Sequence, residues 1–332
     1  MASARRRLLL TLALATLALA LCGLVVGSEG WSFGALTDPA LRQVVWDIRA
    51  PRTAGAWLTG LLLGLSGAIA QGLFRNPLAE PYLLGSSAGA GLAVVIVLAA
   101  GHAGGQAFQL LGADALLRLG LVGAAFVGAL GGVSLTLLLA RGAQRSTTGL
   151  LLAGVVVGFV LGAMADLVTM AAPEALRGKQ VFMLGTTGFL GWTSCGALAL
   201  GALLTLPPAW RFARALDALA LGEDSARSLG LPLPQVRMLM VVLLALATGT
   251  AVAQAGLVAF VGLVSPHLVR SRVQAPHRFT LMASAATGGV LLLAGDVLAR
   301  SVIAPEELPV GVLTAVLGGS YLLWLMHRRG VG

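Results

Sequence analysis

Residues 54–74 form one apolar, Gly/Ala-rich run without a charge, closed on one side by Arg49 and Arg52 and on the other by Arg75 and an NPLAEP turn, Asn76 to Pro81. At about 1.5 Å per helical residue, such a run matches the roughly 30 Å hydrocarbon layer of a bilayer. Pro77 and Pro81 cannot continue a helix through hydrocarbon without freeing backbone groups, so the chain must leave the apolar layer there. The segment therefore crosses a membrane, with arginines at both water interfaces.

The pattern recurs. Apolar runs near 8–27, 54–74, 82–100, 116–140, 148–171, 183–206, 235–254, 256–270, 280–297 and 308–326 predict about ten spans. Hydropathy alone would merge the seventh with the eighth. A chain of 332 residues that is 58% hydrophobic and 11% charged is no ordinary soluble domain. The predicted fold is all-α, a polytopic transmembrane helical bundle in one domain over 1–332. The 45 glycines suit close helix approach in lipid. Placing the N-terminus inside puts most of the 22 Lys and Arg in the cytoplasm, so the net charge of +9 reports topology rather than a nucleic-acid partner, and both termini are cytoplasmic. Arg5 to Arg7 before the run 8–26 reads as an uncleaved first span rather than a signal peptide. AIAQGL at 68–73 echoes AVAQAGL at 251–257 five spans later, the odd separation that an inverted repeat requires.

Chemistry-bearing residues are few. No GxxxxGK[ST] phosphate loop occurs, so ATP hydrolysis is not expected of this chain, and no catalytic residue is assigned. Cys22 and Cys195 lack metal-ligand spacing and read as structural thiols, and no two histidines are spaced as a metal site, so no metal is expected. His267 reads as structural or coupling rather than iron-ligating. Asp166 and Asp296 are ionisable groups inside spans, a functional hypothesis by default, although Asp296 and Arg300 are also spaced to pair on one helix face. Gln71 and Gln254 suit hydrogen bonds between helices. The longest inward connection, 207–234, is bracketed by Pro207, Pro208, Pro232 and Pro234 and reads as short helices, with Gly222 and Gly230 permitting tight turns. On residues alone an ion-coupled secondary transporter acting without an ATPase stays open as the alternative; sparse intramembrane charge disfavours it.

The stretch 49–91, RAPRTAGAWLTGLLLGLSGAIAQGLFRNPLAEPYLLGSSAGAG, is followed by STTGLLLAGVVVG (146–158), ALALGEDSARSLGL (218–231), GLVAFVGLVSPHLVR (256–270), HR at 277–278 and LLLAGDVLARSVIAPEELPVGVLTAVLGGSYLLWL (291–325). Together and in this order they resemble the FecCD-type permeases, membrane subunits of ABC importers for ferric siderophores, haem and vitamin B12. The resemblance implies a homodimer in the bacterial cytoplasmic (inner) membrane. It implies two cytoplasmic ATPase subunits that carry the ATP and Mg, this chain holding no cofactor. A periplasmic or surface-tethered binding protein would deliver an iron chelate, ferric siderophore before haem or cobalamin. By the same resemblance Arg49, Arg52 and Arg300 dock the binding protein. Leu221, Gly222, Glu223, Asp224, Ala226, Arg227, Leu229 and Gly230 couple to the ATPase. Asn76, Leu78, Ser146, Thr147 and Thr148 form an inner gate, and Asp166 lines the pathway. The chain departs from the family pattern at Leu257, where proline commonly follows the glycine, and in a loose version of a tryptophan-led motif at 182–193.

Overall fold

The computed structural model describes residues 2–27, 30–31, 39–103, 113–140 and 147–329, and these are helical almost throughout. Helix α1 (Ala2–Val25) leads into a two-residue antiparallel pairing of β1 (Val26–Gly27) with β2 (Gly30–Trp31). Helix α2 (Pro39–Val44) passes through a π-helical turn at 45–49 into α3 (Ala50–Phe74). Pro51 sits where a helix start has no use for its missing N–H, and Arg75, in the left-handed region at φ 50°, ends the helix. Then follow α4 (Ser86–Ala103), α5 (Ala113–Leu139), α6 (Thr147–Ala171), the short α7 (Ala175–Leu184), α8 (Trp192–Ala220), the six-residue α9 (Glu223–Ser228), α10 (Leu233–Ala255), α11 (Val261–Arg272), α12 (His277–Ser301) and α13 (Val310–Arg329).

Among the described residues, seven helices are long and apolar enough to cross a membrane, those containing 3–25, 42–74, 120–139, 149–171, 192–220, 233–255 and 277–301. Helices α4 and α13 hold shorter apolar stretches, and α11, with 12 residues, reaches only about 18 Å. Each of the ten expected runs thus meets a helix, but not ten equal ones.

Helix α3 is the centre of the bundle, with Leu62 and Ile69 fully buried, and α8, α10, α11 and α12 pack round it. Glycines let it approach its neighbours backbone to backbone. A methyl group added at Gly60 would strike the carbonyl oxygen of Gly288, one at Gly64 that of Ser284, and one at Gly67 that of Gly262. Gly89 and Gly128 make the same close approach between α4 and α5. With lipid as apolar as the helices, such contacts hold the bundle through dispersion rather than hydrophobic burial.

Two expectations need correction. Helix α8 runs on through Pro207 and Pro208 to Ala220, so the first half of the expected connection 207–234 continues a long helix rather than starting a set of short ones. The prolines forfeit two backbone bonds, yet Ala209, Ala213 and Leu216 beyond them are fully buried, and this packing carries the helix onward. The span expected at 183–206 begins instead at Trp192, α7 being a separate short helix closed by Gly185 at φ 65°. Conversely, the seventh and eighth runs do separate. Gly256 and Phe260, at φ 68° and 67°, break the chain between α10 and α11. The freed backbone groups are satisfied internally: Leu257 N–H donates to Phe182 O at 3.1 Å and Thr186 N–H to Ala255 O at 2.8 Å.

The glycine seam predicts that Gly67→Leu, which meets rigid backbone, costs more than about 3 kcal/mol and abolishes the monodisperse detergent-purified chain on size exclusion. Gly196→Ala, with nothing within 4 Å of the added methyl, leaves the elution profile unchanged.

Candidate functional site

At the end of the bundle where α3 begins and α12 ends, four charges meet. Arg52, 8% exposed, donates from Nε to Asp296 Oδ1 at 2.9 Å and from Nη1 to the Glu307 carboxylate. Asp296 is fully buried, accepts from Thr187 Oγ1 at 2.6 Å, and receives Arg300 Nη2 on its other oxygen. Arg300, 1% exposed, turns Nη1 to the carbonyls of Gly23 at 3.0 Å and Val26 at 3.2 Å. Half-buried Arg49 likewise donates to the carbonyls of Leu24 and Val25. Two arginines thus satisfy carbonyls that the end of α1 leaves without intrahelical partners.

Of the three arginines expected to dock a binding protein, none is fully exposed. Arg52 and Arg300 are buried among internal partners, and only Arg49 retains access to solvent. The Asp296 and Arg300 pair forms as its four-residue spacing anticipates. Thr187 and Glu307 complete the cluster, and no local sequence signal singled them out; the topology alone brings them there.

At the other end, the NPLAEP turn is a clamp. Asn76 Oδ1 accepts the Leu78 N–H at 2.9 Å, so Asn76 caps the turn, while Leu78 is half exposed. Glu80 Oε1 accepts the Phe260 N–H at 3.1 Å, and the Tyr82 hydroxyl donates to Val258 O at 2.9 Å. The turn therefore holds the break between α10 and α11. Gln71 donates to Leu263 O at 3.1 Å and accepts from Arg270, the interhelical role expected of it. Ser146 lies outside the described residues. Thr147 and Thr148 open α6, and nothing is described of their side chains.

Helix α9 is framed by Gly222 at φ 109° and Gly230 at φ 76°, conformations that favour glycine. Ala226 is fully buried, whereas Leu221 and Leu229 are 71% and 65% exposed. Glu223 anchors α9 to the membrane helices through Arg237 on α10 and Arg75, 3.8 Å away, at the end of α3. Arg227 pairs with Asp224 at 3.1 Å and Glu223 at 3.5 Å on the exposed side. Nothing local in the sequence marks Glu80 or Arg237 for these contacts beyond the prolines around Glu80, and the interfacial place of Arg75 does not show its pairing with Glu223.

Helix α6 packs on α4 and α5 with one side and leaves the other uncovered: Leu152, Val156, Phe159, Leu167 and Met170 are 51–78% exposed. Asp166 lies on that open side and pairs with Lys179 at the end of the helix. Cys195 is buried against Pro51 O, and both described cysteines are unbridged. Among the described residues no group of three or more His, Cys, Asp or Glu is placed to hold a metal.

Removing Asp296 would leave two buried guanidinium groups without their shared anion. Asp296→Asn is therefore expected to lose about 3–5 kcal/mol in a denaturant titration in detergent micelles, and Glu307→Gln, at the rim, about 0–1 kcal/mol.

Comparison with known proteins places this geometry. The chain is 38% identical over 319 residues to the hemin transport system permease protein HmuU of Yersinia pestis, covering 94% of this chain and 92% of the relative. It is 39% identical over 327 residues to the vitamin B12 import system permease protein BtuC of Escherichia coli, covering 98% and 96%. A solved structure described as an inward-facing conformation of a metal-chelate type ABC transporter superposes with a TM-score of 0.85 at 26% identity, covering 97% of this chain and 99% of the other. The model of the FecCD transport family matches residues 8–328. A multi-pass membrane bundle matched over nearly its whole length by that model, the chain belongs to the FecCD transport family.

Proposed function

We propose that the chain is the permease subunit of an ATP-driven importer of metal chelates, a homodimer that receives its cargo from a binding protein and alternates access as a separate ATPase turns over. The observation that carries this reading is α9. A short helix is pinned by Glu223 to two membrane helices and presents Leu221 and Leu229 to solvent, which is the construction needed to receive a push from a soluble partner. An isolated carrier has no use for such an apolar handle. ATP and Mg belong on the partner, and this chain supplies differential stability of its inward-facing and outward-facing states.

The open side of α6 supports a second copy of the chain as its cover, with the pathway between the copies. A wide apolar wall with one acid, Asp166, suits a bulky chelate. Ferric siderophore is the first choice, with haem and cobalamin, the cargoes in the relatives' names, next. We assign docking of an acidic binding-protein surface to Arg49, and to Arg52 and Arg300 the positioning of that corner from beneath. The inner constriction falls to Leu78 and Asn76 with the start of α6.

The test is purification of the tagged chain in mild detergent with mass spectrometry of what remains bound, paired with uptake. A stoichiometric ATPase is expected, and Leu221→Glu with Leu229→Glu is expected to lose it and to abolish uptake while thermal stability holds, because both positions are solvent-exposed. Arg49→Glu is expected to weaken binding-protein association about tenfold, read by surface plasmon resonance on the reconstituted chain. Uptake that persists in ATP-depleted cells under an ion gradient, with no co-purifying ATPase, overturns the proposal.

A further inference from the structure

A pocket of about 610 Å³ opens at the end of the bundle that holds the starts of α1 and α12 and the second half of α8. Three arginines from three helices line it: Arg5 on α1, Arg214 on α8 and Arg278 on α12. Arg278 lies over the Trp210 ring, its Cζ 3.3 Å from the centroid, and Arg5 over the Phe279 ring at 5.6 Å. Asp217, the acid in the lining, is already engaged: His277 donates its backbone N–H to Oδ1 at 2.9 Å and places Nδ1 2.7 Å from the same atom. None of the three arginines is ion-paired with it. The Nε atoms of Arg5 and Arg278 are buried and have no hydrogen-bond partner among the described residues. Three guanidinium groups against one acid that is already engaged leave the pocket with an excess of positive charge, which suits an anion with several oxygens.

The rest of the wall says where that anion comes from. Leu9 and Met282 flank the arginines, and Leu9, 48% exposed, belongs to a helix whose Leu10, Leu14, Leu17 and Leu21 are 53–66% exposed along its length. The mouth of the pocket therefore opens beside a run of exposed leucines that acyl chains can cover in a membrane. We propose that this pocket is a binding site for the phosphate headgroup of an anionic phospholipid, its acyl chains lying along α1 and its phosphodiester held by Arg5, Arg214 and Arg278. Basic pockets between spanning helices at the membrane surface recognise such headgroups by charge and hydrogen bonding together. The bound lipid would clasp peripheral α1 to α8 and α12. The inference rests on the membrane reading of the chain and is independent of what the permease carries.

The test uses the full chain in nanodiscs of phosphatidylcholine with a minor share of phosphatidylglycerol, released into detergent for native mass spectrometry. Wild type is expected to keep one phosphatidylglycerol per chain in preference to phosphatidylcholine, and the Arg214→Gln, Arg278→Gln double variant to retain about tenfold less. If that variant fails to assemble, Arg5→Gln, on the peripheral helix, makes the same test. Equal retention by wild type and variants overturns the proposal. So does displacement of the lipid by millimolar inorganic phosphate, which would mark a site for the free anion, or loss of the ATPase with lipid retention intact, which would assign the arginines to that partner. Detergent micelles have no sides, so an error in the assigned orientation would leave retention unchanged; labelling a cysteine placed at Arg6 from either side checks orientation separately.

Discussion

Everything in this bundle hangs on how closely α3 can approach its neighbours. In water the burial of leucine would draw helices together, but a bilayer is as apolar as the helices and supplies no such force. Gly60, Gly64 and Gly67 face Gly288, Ser284 and Gly262 across distances that no side chain could share. What replaces the hydrophobic effect is dense packing of backbone on backbone. Once that seam is closed, the ends of α3 have fixed positions, and each end carries a polar cluster whose geometry depends on it: Arg52 meets Asp296, and Gln71 meets Leu263 O and Arg270.

A single helix of 25 residues therefore ties together the polar clusters at both ends of the bundle. Its first turn holds the arginine cluster, and its last residue leads to Arg75, beside the Glu223 that anchors α9. Glu223 also binds Arg237 at the start of α10, whose far end is the break held by Glu80, Tyr82 and Phe182. The two helices to which α9 is pinned are thus the buried central helix and the one followed by the break. The break carries this chain's own signature. Proline at 257 would have no N–H to donate to the Phe182 carbonyl, so this bond depends on Leu257.

Much of this was legible in the sequence, for physical reasons. Apolar runs of membrane length announce themselves, and the glycines at 222 and 230 sit where the chain turns with positive φ. The pairing of Asp296 with Arg300 follows from helical spacing. Other features depend on contacts far apart in the chain and leave no local trace. An arginine in the first turn of a helix looks solvent-exposed until a remote aspartate is placed beside it, so the burial of Arg52 leaves no local trace. Pro207 and Pro208 have the appearance of a helix end, and only the packing of Ala209, Ala213 and Leu216 shows that the helix continues. Hydropathy likewise runs α10 and α11 together, and neither the break between them nor the shortness of the 12-residue α11 shows in it.

The arginine cluster also has a history during synthesis. Arg52 precedes Asp296 by 244 residues and Glu307 by 255, and Gly23 precedes Arg300 by 277. When α3 first enters the bilayer, its countercharge has not yet been made, and the guanidinium must wait at the water interface, where a long side chain can keep its head hydrated. Only the arrival of α12 draws it inward. A chain cut short before Asp296 would have its central helix complete and the Arg52 guanidinium without its buried counter-charge. The cluster therefore closes only once the chain has been made as far as Glu307.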